Sequence, residues 1–115
     1  MIRLVTCDID GTLLHRAETA IDAETLREIA RLREKGILFC PASGRQYHSL
    51  RRLFAPAGKE LAYICENGSV VFGPGDPAPV WGKVPLNRTE AVQLCRDIMT
   101  QPGCEINASG ENTCY

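Results

Sequence analysis

Three short clusters carry the residue types that chemistry needs. Asp8-Ile9-Asp10-Gly11-Thr12, Ala42-Ser43-Gly44-Arg45 and Glu66-Asn67-Gly68 each close an apolar run. Side chains alternate along an extended backbone, so Asp8 and Asp10 point the same way if the strand continues that far. Two neighbouring carboxylates, unless one is protonated, demand a cation or a proton as compensation. A hard divalent ion with oxygen ligands, Mg²⁺ above all, suits carboxylate and carbonyl donors, which makes Asp8 and Asp10 the candidate metal-binding residues. Ser43, at a helix start, offers a hydroxyl and nearby backbone N–H groups, a natural seat for phosphate. Each cluster also has a bland reading. An acidic pair before glycine is common in surface turns, Ser-Gly-Arg is a common loop, and Asn67-Gly68 is a hairpin-type turn. A calcium loop of EF-hand type needs glycine at its sixth position and flanking helices, whereas Gly11 is fourth and follows a strand. The weight lies in all three clusters falling at consecutive strand ends.

The elements that position them follow from the apolar pattern. Ile2 to Ile9 is rich in β-branched residues and stops at the turn signal Asp10-Gly11. Asp22 caps a helix over Ala23 to Lys35, with Leu26, Ile29, Ala30 and Leu32 near one stripe, and Gly36 ends it. Ile37 to Cys40 is a continuous apolar run, as in strands buried on both faces. Gly44 opens a second helix carrying Tyr47, Leu50, Leu53 and Phe54, closed by Pro56 and Gly58, and Leu61 to Cys65 is the next strand. This βαβαβ alternation implies parallel strands, right-handed crossovers and a ligand site outside the carboxyl ends of the strands. Beyond it, Ser69–Phe72 and Val80–Val84 flank a Pro- and Gly-rich stretch and predict a β-hairpin. Pro85-Leu86-Asn87 reads as a boundary. A helix is expected over Arg88 to Thr100, then two short strands around Ser109-Gly110, the last of them Asn112-Thr113-Cys114.

Composition narrows the function classes. The 115 residues hold 13 Lys plus Arg against 14 Asp plus Glu, a formal charge of −1, and are 44% apolar and 23% charged, the profile of an ordinary globular chain. That balance gives no electrostatic footprint for nucleic acid or an anionic membrane. No window approaches the roughly 18 apolar residues of a membrane span, and no long signal-type stretch follows Met1, so a cytoplasmic protein is expected. The six cysteines form no C-x-x-C pair and have no His-x₃₋₅-His partner, so Cys7, Cys40 and Cys65 are read as small buried hydrophobes. His15 and His48 are expected on the surface. Arg51-Arg52 reads as a solvated helix face, with contact to an anion as the alternative.

The run Asp8-Ile9-Asp10-Gly11-Thr12-Leu13-Leu14, followed by Ala42-Ser43-Gly44-Arg45 and Glu66-Asn67-Gly68, resembles the haloacid dehalogenase superfamily, and within it the Cof-type phosphatases. The resemblance covers residues 1 to about 84 well and the rest more loosely. It implies an α/β fold: a Rossmannoid three-layer core with a parallel sheet, here its amino-terminal βαβαβ portion with the 69–84 hairpin (residues 1–84), and the opening of an α+β cap (residues 85–115). It implies a phosphatase acting on a small phosphate ester, such as a sugar phosphate or phosphorylated cofactor. Asp8 would be the nucleophile that forms an aspartyl-phosphate, and Asp10 the general acid and then base. Mg²⁺ would bind the Asp8 carboxylate and the Asp10 backbone carbonyl. Thr12 and Ser43 would hold the phosphoryl group, with Gly11 and Gly44 allowing close backbone approach. Arg45 would orient the phosphate or form a structural ion pair, and Glu66 and Asn67 would line the cleft floor.

The family's later Lys and its Gly-Asp-x-x-Asn-Asp-type motif have no counterpart. Lys35, Lys59 and Lys83 lie elsewhere, and Asp97 falls inside a helix. The chain therefore resembles the amino-terminal part of a longer phosphatase, and alone it is expected to be inactive or weakly active. Its first strand would lack the neighbours that later strands supply, so self-association through that strand, or swapping from Leu86 onward, is expected. A single monomeric species in sedimentation would contradict this. A phosphomutase of the same superfamily and a non-catalytic interaction module on the same scaffold are the alternative functions.

Overall fold

The computed structural model describes residues 1–15, 18–110 and 114. In chain order its elements are β1 (Leu4–Asp8), α1 (Ala23–Glu34), β2 (Leu38–Ala42), α2 (Tyr47–Leu53), β3 (Tyr63–Cys65), β4 (Val70–Phe72), β5 (Val80–Lys83) and α3 (Arg88–Met99). Single 3-10 turns occupy Ala55–Ala57 and Glu66–Gly68. The five strands form one sheet in the order β1-β2-β3-β4-β5. β1, β2 and β3 run parallel, Leu4 opposite Leu38 through to Asp8 opposite Ala42. β4 and β5 return antiparallel as the expected hairpin. This is an α/β fold with a mixed sheet, and its parallel half carries the three clusters at one edge.

Local chemistry accounts for most element ends. Asp22 caps α1 by accepting from the backbone N–H groups of Glu24 and Thr25, both at 2.9 Å, and from the Thr25 hydroxyl at 2.6 Å. Ile29 is buried under α1, and Leu26 and Leu32 pack against the same core. The second helix starts three residues later than Gly44. The Ser43 hydroxyl accepts from the Arg45 N–H at 3.1 Å, which holds Ser43–Arg45 in a side-chain-closed turn, and Gln46 becomes the N-cap. β2 reaches Ala42 and includes Pro41, although proline is unusual inside a sheet. Phe39 O and Ser43 N both bond β3-side partners, Ala62 N and Ile64 O. By alternation the missing Pro41 N–H faces β3 as well, and the β2–β3 ladder is correspondingly reduced to the Ala42–Ile64 pair.

The core gathers Ile9, Leu50, Phe54, Leu61, Tyr63, Cys65 and Phe72, all buried. Tyr47 ties α2 to the hairpin, stacked on Phe72 with ring centroids 3.9 Å apart and edge-on to Tyr63 at 5.5 Å. Trp81 lies across Gly73, where an added Cβ would come within 2.3 Å of the indole, so only glycine fits beneath it. Burial pushes the Cys40 thiol up and the Cys65 thiol up to about 12, which leaves both as unreactive apolar side chains. β1 is less buried than its apolar sequence suggests, because it stands at the sheet edge and leaves Ile2 and Leu4 exposed.

Chain contacts divide the molecule into Met1–Lys83 and Val84–Tyr115. The second unit consists chiefly of α3, capped by Asn87 through the Thr89 and Glu90 N–H groups. No residue of α3 is buried. The two short strands expected around Ser109-Gly110 are not formed there among the described residues; only an isolated antiparallel bridge joins Ser109 to Cys114. Asn112 and Thr113, and with them the expected last strand, lie outside the described residues. No helix among the described residues is long and apolar enough to cross a membrane.

Candidate active site

β1 ends at Asp8, before Asp10, and this sets the geometry of the whole cluster. Ile9, fully buried, anchors the turn: its carbonyl accepts the N–H groups of Thr12, Leu13 and Leu14 at 3.2, 2.9 and 2.8 Å. Gly11 takes φ +90°, a left-handed conformation that glycine adopts without a Cβ clash, and its N–H closes the turn on Leu14 O at 2.8 Å. The Thr12 hydroxyl is thereby folded back to donate to the Asp8 carboxylate at 3.2 Å. Asp10 leaves the extended path and takes its own partners.

Those partners come from the second cluster. The Arg45 guanidinium donates to both Asp10 oxygens, Nε to Oδ2 at 3.0 Å and Nη2 to Oδ1 at 2.5 Å, in a bidentate pair. The Ser43 hydroxyl reaches Asp10 Oδ2 at 3.4 Å. Asp10 therefore receives positive compensation from Arg45, in the ion pair that was one of the two roles expected of Arg45, rather than only from a metal ion or a proton. Hydrogen bonding from Arg45, and more weakly its charge, holds the Asp10 carboxyl below the usual carboxylate range, and the same bond raises Arg45. A depressed carboxylate stabilises the fold above the unfolded value near 3.8, and that contribution is lost as pH falls through the lower folded value. The pair is about half exposed, so solvent screens it. We expect Arg45→Gln to raise the Asp10 pKa, read as an upward shift of its carboxyl ¹³C titration; an unmoved titration would contradict the pairing.

The third cluster closes the site from β3. The Asn67 N–H donates to Ser43 O at 3.1 Å and the Glu66 N–H to Arg45 O at 3.2 Å, so the two loops are bonded backbone to backbone. Glu66 and Asn67 both lie at positive φ, 51° and 55°, and Gly68 follows at 93°. Left-handed backbone in consecutive non-glycine residues is strained and concentrates at functional sites. The Asn67 amide packs over Gly44, where a Cβ would sit 3.1 Å from its oxygen, so glycine there lets the two loops approach. Asp8, Ala42, Ser43, Ile64 and Asn67 together line a cavity of about 260 Å³.

The nine residues singled out in the sequence thus lie together at the carboxyl ends of β1, β2 and β3, Glu66 among them through its N–H bond to Arg45 O. Asp8, Ser43 and Asn67 face the cavity; Thr12 bonds Asp8; Asp10 and Arg45 pair beside Ser43; Gly11 and Gly44 shape the turns. Glu66 was expected on the cleft floor with Asn67, but of the two only Asn67 lines the cavity. The Glu66 Oε1 is buried and lacks a hydrogen-bond partner among the described residues, a demand that only the three-dimensional arrangement reveals.

The haloacid dehalogenase-like hydrolase family model matches residues 5–115. The chain belongs to that family. It is 30% identical over 114 residues to the 5-amino-6-(5-phospho-D-ribitylamino)uracil phosphatase YbjI of Escherichia coli, covering 99% of this chain and 41% of that protein. It is 38% identical over 73 residues to phosphoglycolate phosphatase 1 of Saccharolobus solfataricus, covering 63% of this chain and 32% of that one. A solved structure from Eubacterium rectale superposes on 98% of the chain at 35% identity with a TM-score of 0.80, using 42% of its own length. One from Streptococcus mutans superposes on the whole chain at 26% identity with a TM-score of 0.84. The chain thus spans about two fifths of the length of the relatives it matches along its whole length.

The oxygen donors of the site suit a small hard cation. Mg²⁺ is commonly held through one or two carboxylates and keeps several waters. Among the described residues the Asp8 carboxylate has one hydrogen bond, from Thr12, and it lines the cavity. No group of three or more His, Cys, Asp and Glu that could form a closed protein cage occurs among the described residues.

Proposed function

We propose that the protein is a Mg²⁺-dependent phosphomonoesterase for small phosphorylated metabolites, working through an aspartyl-phosphate on Asp8. The observation that carries this reading is the cavity in which Asp8, hydrogen-bonded by Thr12, faces Ser43 and Asn67 at the ends of three parallel strands. An Asp8 oxygen attacks phosphorus, the P–O bond to the alcohol breaks, and Asp10 gives the departing oxygen a proton. Asp10 then takes a proton from water as that water attacks phosphorus, the bond to Asp8 breaks, and inorganic phosphate leaves. Mg²⁺, when bound by the Asp8 carboxylate and the Asp10 backbone carbonyl, would offset repulsion between carboxylate and phosphate.

The Arg45 pair makes one further demand of this scheme. Asp10 must be protonated to act as an acid, and pairing with Arg45 opposes that. The anionic oxygens of an arriving phosphate give the guanidinium a competing partner, which frees Asp10 to take up the proton it later donates. Ser43, buried and already bonded to the Arg45 N–H, keeps its hydroxyl between the two groups during the exchange.

The test is phosphate release from p-nitrophenyl phosphate by a polypeptide that carries this chain in full length. Release in Mg²⁺ that disappears in EDTA supports the phosphatase. Absence of release across a broad metabolite panel would favour the interaction-module alternative, and conversion of one phosphate monoester into its isomer the phosphomutase.

A further inference from the structure

A second cavity, of about 350 Å³, adjoins the site and has no place in the chemistry above. It is lined by Thr19, Ala20, Arg45, Ser49, Arg52, Leu53 and Pro56. Among the described residues its polar groups are two guanidinium groups and two hydroxyls, with no carboxylate. Ser49 and Arg52 are three residues apart on α2, hence neighbours on one helix face. Arg45 connects this cavity to the first: it lines the second itself, and through Asp10 its guanidinium joins Ser43, which lines the first.

The adjacent arginines of α2 are used differently. Arg51 is engaged by Asp76 at 3.7 Å, by the Gly75 carbonyl at 3.3 Å and by the Tyr47 ring, and so ties the hairpin loop to α2. Arg52 makes no hydrogen bond or ion pair among the described residues and presents its charge to the cavity. Sequence alone reads the two as one solvated face, with contact to an anion as the alternative; the fold assigns them separate tasks.

We propose that this cavity receives a second anionic group, a carboxylate or a phosphate, of a substrate whose reacting phosphate sits at Asp8 and Ser43. The inference rests on the phosphatase reading above and narrows its substrate class to doubly anionic esters. Arg52 supplies the charge, Ser49 and Thr19 supply hydroxyl donors, and Leu53 and Pro56 give the second cavity its apolar wall. Such charge-assisted contacts discriminate against an analogue that lacks the second anion.

The experiment is calorimetric titration of the 115-residue chain, in saturating Mg²⁺, with 5-phosphonopentanoate and with pentylphosphonate, which lacks the carboxylate. Both are non-hydrolysable, so binding is read without turnover. The native chain is expected to bind the carboxylate-bearing compound roughly tenfold more tightly at low salt. Arg52→Gln is expected to erase that preference while leaving pentylphosphonate affinity unchanged, which also shows that the variant is folded. Equal affinities in the native chain, or a preference that survives Arg52→Gln, overturn the second anion site and leave the phosphate site standing. Failure of both compounds to bind overturns the phosphate site itself, and the second site with it.

Discussion

Asp8→Asn is expected to lower kcat for aryl phosphate hydrolysis by at least about three orders of magnitude, the scale seen when a nucleophile is removed from a catalytic group that acts as a unit. The amide is nearly the same size as the carboxylate and still accepts the Thr12 hydroxyl through its oxygen, so the fold is expected to persist. What it loses is the anionic oxygen that bonds phosphorus. Among the described residues nothing else lining the cavity replaces it, since Ala42, Ser43, Ile64 and Asn67 offer no second carboxylate. Steady-state phosphate release with unchanged circular dichroism is the measurement. Turnover at the native rate would exclude Asp8 as the attacking group.

The second large effect falls on stability. Phe54 ends α2, is fully buried, and packs against Phe39 with ring centroids 6.2 Å apart. Phe54→Ala removes most of that ring from the centre of the core, and such truncations cost about 3–5 kcal/mol. Against a typical total of about 5–15 kcal/mol, the loss is a large fraction of the fold's stability. Urea denaturation is expected to show a lower midpoint with a similar slope. A loss below about 1 kcal/mol would show that the core can collapse around the gap, contrary to the packing described. Because α2 follows directly on the Ser43–Arg45 turn, a loosened helix would also disturb the site it adjoins.

Much of this architecture could be read in the residues. The apolar run into Asp8, the Asp22 cap and the glycines after each strand are local signals, and the elements formed where those signals stood. Interactions between distant segments escaped such reading. Arg45 and Asp10 are 35 residues apart, and although an ion pair was one of two roles open to Arg45, nothing in either cluster names Asp10 as its partner. The start of α2 was misplaced because the Ser43 hydroxyl competes for the Arg45 N–H, an event settled by one side chain. Gly68 signalled a turn, but the positive φ of Glu66 and Asn67 arises from their backbone bonds to Arg45 and Ser43. The different fates of Arg51 and Arg52 depend on where the hairpin loop carries Asp76.

The most direct test of the central claim is chemical capture of the covalent intermediate. The protein is mixed with Mg²⁺ and a phosphate ester, quenched in acid, and reduced with borohydride, which converts an aspartyl-phosphate into homoserine; mass spectrometry then locates the modified residue. The account predicts homoserine at position 8 and its absence from the Asp8→Asn variant. Modification at Asp10 instead, or a turning-over enzyme that yields no homoserine anywhere, would contradict it.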